Sequence, residues 1–427
     1  MSATMKVPVK NKYFSAPFKL DGCKNIVEAL SRSNFFRRLG GISVFVLKVG
    51  SDNRVTKEIS TYGLLFYIVW YAIYVYCTYK AHYEDQTILR IIYSTKLQRY
   101  GDDYERISST AFIIFAYYKI PFGVNINKVF ISMTVDLDKA LENLGENVDY
   151  RLDALLALVI SISQIALSTT RFFSIWLTIY QLDVPIPLER MHQVICSDTL
   201  ALIATAHYCF YVKVIKSRFQ HMNKILEDIK NHKSWEYKLF TRGSMVANVQ
   251  KAKGLEDKYI CEKIKACGKI HSMLYKMIEA NNKMFGSMIM LTVLVYISYI
   301  TLYMFYFMEA TAAGLFHHPD KYAVLFIYVL WEIGYASVTI YVIVYISEYA
   351  AYEAQKTSFI LHDIMNSDFS PAVAAEALQL SVQCLHQRPI FTAYGLYELN
   401  YETLQEFCRT VTTYLIILLQ FATDTRA

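Results

Sequence analysis

Seven stretches of this chain are too long and too apolar to lie on the surface of a water-soluble protein. They run over about 59–78, 107–130, 155–179, 194–215, 284–308, 322–346 and 404–421. A run of roughly twenty apolar residues matches the hydrocarbon thickness of a bilayer. Within that layer only a helix crosses alone, because each backbone N–H must find an acceptor in its own segment. The pattern therefore predicts an all-α membrane protein with seven transmembrane helices. The second stretch is the least regular, interrupted by Lys119, Pro121, Gly123 and Lys128. The run Ile42 to Leu47 is too short to cross and is expected at the interface or against other helices.

Charge sets the orientation. Residues 1–58 hold eleven Lys and Arg against four acids, and residues 213–283 hold sixteen against seven. Basic segments beside membrane helices stay in the cytoplasm. Both regions lie inside if the N-terminus is cytoplasmic, and seven crossings then leave the C-terminus extracellular. The acidic segment 134–153 runs against this count, although acids weigh little in the rule. Across 213–283, Ile260, Ile264, Ile270, Leu274 and Met277 recur at helical spacing, which predicts amphipathic helices continuing spans four and five inward. The 79–105 segment reads as a loop with charges of both signs. Pro185 and Pro187 turn the chain after span three, and His317, His318 and Pro319 fall in the short loop before span six.

The sequence carries little that suggests catalysis. It has no GxSxG, HExxH, P-loop or glycine-rich nucleotide fingerprint. Its eight cysteines show no CxxC pairing and no ligand-spaced histidines, so neither a metal nor another cofactor is expected. Cys77 and Cys196 could both lie near the outer surface and pair, with free buried thiols the plainer reading. The basic 213–283 segment suits anionic lipid headgroups rather than nucleic acid, since apolar residues interleave it.

Ionisable residues inside the spans say more. Arg171, Asp198 and Glu332 fall in the outer halves of spans three, four and six. Lipid penalises such groups, so they face the bundle interior or a wet cavity. Phe172, Trp176, Tyr296, Tyr299, Tyr303, Tyr328, Trp331 and Tyr335 lie at similar depth. An aromatic cavity with a few convergent polar groups is what a small-molecule site requires. The candidate ligand-binding residues are Arg171, Trp176, Asp198, Tyr299, Tyr303, Tyr328, Trp331, Glu332 and Tyr335. A structural ion pair within a tyrosine-rich bundle accounts for the same residues.

The last stretch, Thr413-Tyr414-Leu415-Ile416-Ile417-Leu418-Leu419-Gln420-Phe421, sets polar residues into an apolar helix. Thr413, Ile416 or Ile417, and Gln420 share one face. If copies of the helix meet around an axis, these residues line a pore. Gln420 and Phe421 would then form a constriction, and Ile416 and Ile417 an apolar gate below it. A peripheral helix whose Gln420 bonds a neighbouring span is the alternative.

This stretch resembles the Thr-Tyr, five apolar residues, Gln-Phe signature ending the last helix of insect gustatory receptors. Phe391-Thr392-Ala393-Tyr394-Gly395-Leu396-Tyr397-Glu398-Leu399-Asn400 resembles the turn before that helix. The resemblance covers Pro389 to Phe421. It implies a ligand-gated, nonselective cation channel in the plasma membrane of chemosensory neurons, related to insect odorant receptors. The expected partners are a small-molecule tastant, monovalent and divalent cations and membrane lipids. The expected assembly is a homotetramer, or a heterotetramer with other gustatory receptors, around one pore. Residues 1–58 would be a cytoplasmic N-terminal segment, and 59–346 would hold helices one to six with the extension 213–283. Residues 347–403 would form cytoplasmic anchor helices and a turn, and 404–421 the pore helix. Sugar-sensing members often carry Glu directly after the Thr-Tyr pair; Leu415 stands there, so a bitter or other non-sugar ligand is expected.

A G-protein-coupled receptor also has seven spans. It needs an extracellular N-terminus, against the basic 1–58 segment, and normally an acidic-Arg-aromatic triplet ending span three, which this chain lacks there. A secondary transporter would show an internal repeat, and none is evident.

Overall fold

The computed structural model describes residues 23, 25–31, 33–50, 54–87, 96–181, 185–240, 246–312 and 319–424. His317, His318 and the first twenty-two residues lie outside that set. Two short helices, α1 (Ile26–Ser31) and α2 (Asn34–Leu39), lead into a hairpin of β1 (Phe45–Val49) and β2 (Val55–Ile59). Six long helices follow. They are α3 (Thr61–Tyr83), α4 (Lys96–Phe122), α5 (Val124–Asn143), α6 (Tyr150–Gln181), α7 (Leu188–Phe240) and α8 (Val246–Ala312). Then come α9 (Pro319–Met365), α10 (Pro371–His386), a small hairpin of β3 (Thr392–Ala393) and β4 (Tyr397–Glu398), and α11 (Tyr401–Asp424).

The chain is mostly helical, with two departures from the all-α expectation. The run Ile42 to Leu47 enters β1, paired antiparallel with β2 from Phe45↔Ile59 to Val49↔Val55. A run so rich in β-branched and aromatic residues suits a pleated edge, and a partner of similar composition lies close by in sequence. The second hairpin is the expected turn before the last helix. The segment 96–105, read as loop, is the first part of α4.

Among the described residues, five helices are long and apolar enough to cross a membrane. A sixth crossing results if the bent pair Arg99–Phe122 and Val124–Asn143, at 53° to each other, counts as one. Pro121 and Gly123 account for the bend, since one lacks an N–H and the other a side chain. The terminal helix α11 is not among the apolar ones. Glu402, Gln405, Glu406, Arg409 and its threonines dilute it.

Helices α7, α8 and α9 hold 53, 67 and 47 residues. At 1.5 Å per residue they reach about 80, 100 and 70 Å, far beyond a hydrocarbon core. Their continuations pack on one another and on α10. Ile260, Ile264, Ile270, Leu274 and Met277 are all buried there, as their spacing predicts. Polar ties join the same ends. Asn223 donates to the Glu353 carbonyl at 2.8 Å and accepts from Thr357 at 2.7 Å. Gln383 of α10 donates to the Gly268 carbonyl at 2.9 Å.

The acidic segment 134–153 finds its counter-charge inside the fold. Arg218 of α7, fully buried, bonds Asp138 at 3.0 and 3.2 Å and Asp153 at 3.0 Å. Tyr150 donates to Asp138 at 2.8 Å. In the turn between α5 and α6, Glu146 meets Lys224 at 2.7 Å and His221 at 3.0 Å. These acids dock α5 and α6 onto the basic α7 extension, so segment 134–153 and the positive segment that follows it share one end of the bundle.

Candidate functional site

The three charged residues expected to converge do so. Arg171 of α6 donates from Nε to Asp198 Oδ2 of α7 at 2.9 Å, and its Nη1 contacts Glu332 Oε1 of α9. Each of the three is at least nine-tenths buried. The guanidinium also lies 5.5 Å from the centre of the Tyr328 ring. A charge held this deep is tolerable only with opposite charges and hydrogen bonds around it. Three helices therefore meet at one ionic knot.

Beside the knot is a narrow cleft lined by Leu167, Ser168, Arg171, Asp198, Thr199, Trp331 and Tyr335, among others. Its free space admits about one water molecule. Ser168 and Thr199 share a 2.9 Å hydrogen bond on its wall. Tyr335 packs edge-on against Tyr296. Behind the knot runs a buried tyrosine ladder. The Tyr303 and Tyr328 hydroxyls are 3.4 Å apart, and Tyr299 bonds Ser109 at 2.8 Å. Trp331 is partly exposed at the cleft, whereas Trp176 stacks on Tyr180 and does not line it.

Sequence reading missed Ser168, Thr199 and the serines at 108 and 109. Ser168 and Thr199 lie within one helical turn of Arg171 and Asp198, and that spacing was the available signal. It also missed a second buried ionic cluster. Arg190, fully buried, stands 3.8 Å from Asp102 and 3.7 Å from Glu105, and Arg106 reaches Asp85 at 3.1 Å. The cysteine pairing at 77 and 196 is not formed; both are free thiols.

The terminal helix packs on one side only. Leu404, Phe407, Val411, Leu415, Leu418 and Leu419 rest against the core. Glu402, Gln405, Arg409, Thr412, Thr413, Ile416, Ile417, Gln420 and Phe421 are exposed. The residues predicted to share one face thus lie on the side turned away from the chain's own core. Thr413 returns its hydroxyl to the Arg409 carbonyl at 2.9 Å, so the polar group is satisfied within the helix.

The small hairpin ties the start of this helix to α8. Asn282 of α8 donates to the Ile390 carbonyl at 2.8 Å and accepts from the Thr392 N–H at 3.2 Å. One turn on, Gly286 lets the strand approach closely, since a Cβ there would lie 2.6 Å from the Tyr394 nitrogen. Tyr394 itself takes φ +57° and Gly395 φ +74°, the left-handed pair that closes the turn. Tyr397 packs edge-on against Phe407 of α11.

The sequence profile described as 7tm Chemosensory receptor matches residues 53–424, nearly the whole chain. The chain belongs to the 7tm chemosensory receptor family. Gustatory receptor 28a of Drosophila melanogaster is 25% identical over 439 residues, covering 93% of this chain and 92% of that protein. Gustatory receptor 28b of the same fly is 23% identical over 304 residues, covering 67% and 62%. The gustatory resemblance carried by the terminal motif therefore extends along the chain. In fold, the receptor is similar to the insect olfactory receptor OR5 from Machilis hrabei. The TM-score is 0.60 at 11% identity, with 92% of this chain and 97% of that one covered. The same olfactory receptor in complex with eugenol matches with a TM-score of 0.55. With its several apolar helices, this chemosensory receptor is a multi-pass membrane protein.

Proposed function

We propose that this receptor is a tastant-gated, nonselective cation channel of the plasma membrane, with α11 lining the pore of a homo- or heterotetramer. The observation that carries this is the one-sided packing of α11. A helix too polar to face lipid, exposed along its polar stripe, needs either water or copies of itself. Gathering four such helices gives both. Thr413 and Gln420 then ring the permeation path, Phe421 narrows its outer end, and Ile416 with Ile417 closes it by dewetting. Counting the bent α4–α5 pair and α11 brings the crossings to seven, with the N-terminus inside and the C-terminus outside. The packed inner ends of α7 to α10 serve as the anchor between subunits.

The ligand site in this reading is the outer cleft beside Arg171, Asp198 and Glu332. The eugenol complex of the related fold supports a small organic ligand, and Leu415 together with the aromatic lining supports a non-sugar one. The cleft is nearly closed as it stands, so a ligand that fits must hold α6, α7 and α9 apart. A ligand shifts the gating equilibrium only through its preference for one state. Helix α8 links the two sites physically. It carries Tyr299 and Tyr303 behind the cleft and, about 25 Å along the same rod, Asn282 and Gly286 at the hairpin. Displacing its outer half moves the hairpin and with it the start of α11.

Whole-cell recording from cells expressing this chain alone, across a panel of non-sugar tastants, tests the proposal. A ligand-dependent cation current that reverses near zero millivolts supports it. Ligand responses that require a G protein, with no current in excised patches, reject it.

A further inference from the structure

The short helix α2 carries two arginines that the proposed channel mechanism leaves unused. Among the described residues, neither Arg37 nor Arg38 has a carboxylate within ion-pair distance, and the Nε atoms of both are buried without a hydrogen-bond partner. Their neighbours make this unusual. Phe35 and Leu39 on the same helix are 59% and 45% exposed. The Leu39 carbonyl accepts from Trp70 Nε1 at 2.9 Å, and the backbone at Gly41 lies against Phe66 and Tyr67 of α3. Trp70 is nine residues into α3, so α2 lies beside the first ~14 Å of a membrane-spanning helix.

An arginine beside lipid-facing apolar residues is costly unless it reaches an anion or water. The described residues supply no anion, and the apolar flanks, exposed where α3 starts, point to lipid. A guanidinium pairs best with phosphate, through paired N–H donors. We infer that Arg37 and Arg38, with Phe35 and Leu39 beside them, form a binding site for an anionic phospholipid of the cytoplasmic leaflet. The phosphate sits on the guanidinium groups, and the acyl chains lie along Phe35, Leu39 and the outer face of α3. The leaflet follows from the proposed orientation; the site itself does not depend on it.

The test uses the full chain in symmetric vesicles, which present the same lipid to both faces and so separate this site from the orientation. A variant keeping Trp70 as its one tryptophan (W176F, W235F, W331F) reports contact with α2. A nitroxide-bearing phosphatidylserine is compared with phosphatidylcholine carrying the same nitroxide, at equal mole fraction. The expected result is excess quenching by phosphatidylserine, from a local enrichment of about five-fold for each arginine. Arg37→Gln with Arg38→Gln abolishes the excess, and Arg37→Lys with Arg38→Lys retains part of it. Should the double glutamine variant not purify as a folded protein, the single exchanges each lower the excess and decide the question. Equal quenching by the two lipids overturns the site, as does an excess that survives both glutamines. Loss of the excess on adding inorganic phosphate assigns the arginines to free phosphate and overturns the lipid.

Discussion

Arg171 of α6 and Glu332 of α9 are in direct contact beside the cleft, both more than nine-tenths buried. Asp198 completes the knot, so the single cation holds two acids. The two partners should therefore respond differently to substitution. Arg171→Ala leaves two carboxylates buried without a counter-charge and costs about 3–5 kcal/mol of stability. Its signature is loss of surface expression. Glu332→Gln keeps the shape and leaves Arg171 paired with Asp198. Removing one charged contact worth about 1.5–3 kcal/mol should shift the half-maximal ligand concentration about ten-fold or more at near-normal expression. Unchanged dose–response curves for Glu332→Gln at wild-type surface levels would remove the knot from the ligand site.

The exposed stripe of α11 predicts a separation of roles. Thr413→Ala and Gln420→Ala should alter the relative permeability of monovalent and divalent cations while leaving the half-maximal ligand concentration alone. Ile416→Ser or Ile417→Ser should wet the apolar level and produce current without ligand. Reversal potentials in bi-ionic solutions and the holding current before ligand measure these two effects. Wild-type permeability ratios in both alanine variants would place Gln420 and Thr413 off the ion route.

Much of this was legible in the sequence because two periodicities dominate it. Twenty-residue apolar runs gave the long helices, and three- to four-residue spacing gave the buried face of α8 and the shared face of Thr413, Ile416, Ile417 and Gln420 on α11. Arg171, Asp198 and Glu332 stood out because charge is rare inside such runs. What escaped depended on contacts between distant segments. The hairpin of Phe45–Val49 with Val55–Ile59 is too short for its pattern to register, and only pairing stabilises it. The acids at 138 and 153 looked like an exception to the charge rule until Arg218 was seen between them. The 96–105 segment looked like loop because its charges serve a buried cluster with Arg190 rather than solvent. Trp176 shared the depth of the cleft residues, but its side chain stacks on Tyr180 and does not line the cleft.

The clamp between α8 and the second hairpin predicts a coupling defect. Asn282→Ala removes two hydrogen bonds to the strand, worth about 1 kcal/mol each, which is about a thirty-fold change in a gating equilibrium that depends on both. Gly286→Ala brings a Cβ to 2.6 Å from the Tyr394 nitrogen and must push the hairpin outward. Both variants should bind ligand as before and pass a reduced maximal current. Ligand-induced protection in a thermal-shift assay reads the first quantity and recording reads the second. A shift in ligand affinity with full maximal current would show that the clamp is not part of the coupling.

Acid should loosen the turn between α5 and α6 before it loosens the membrane core. Partial burial pushes the Glu146 carboxyl up, but hydrogen bonds from Lys224 and His221 and their nearby charges outweigh it, leaving the group below its ordinary value of 4.5. In the unfolded chain the carboxyl titrates at the ordinary value, so as pH falls the unfolded state takes up the proton first. The stabilisation is fully present above about pH 5 and is lost as pH drops through the folded value. Neutralising Glu146 leaves Lys224 and His221 without their acid, so the turn detaches from α7. Thermal melting of the detergent-solubilised protein from pH 7 down to pH 4 should show a fall that Glu146→Gln, already neutral, lacks over the same interval. The glutamine variant should also start lower at pH 7, because it has lost the ion pairs at every pH. Parallel melting curves for the two proteins across that range would mean that Glu146 does not tie the turn to α7.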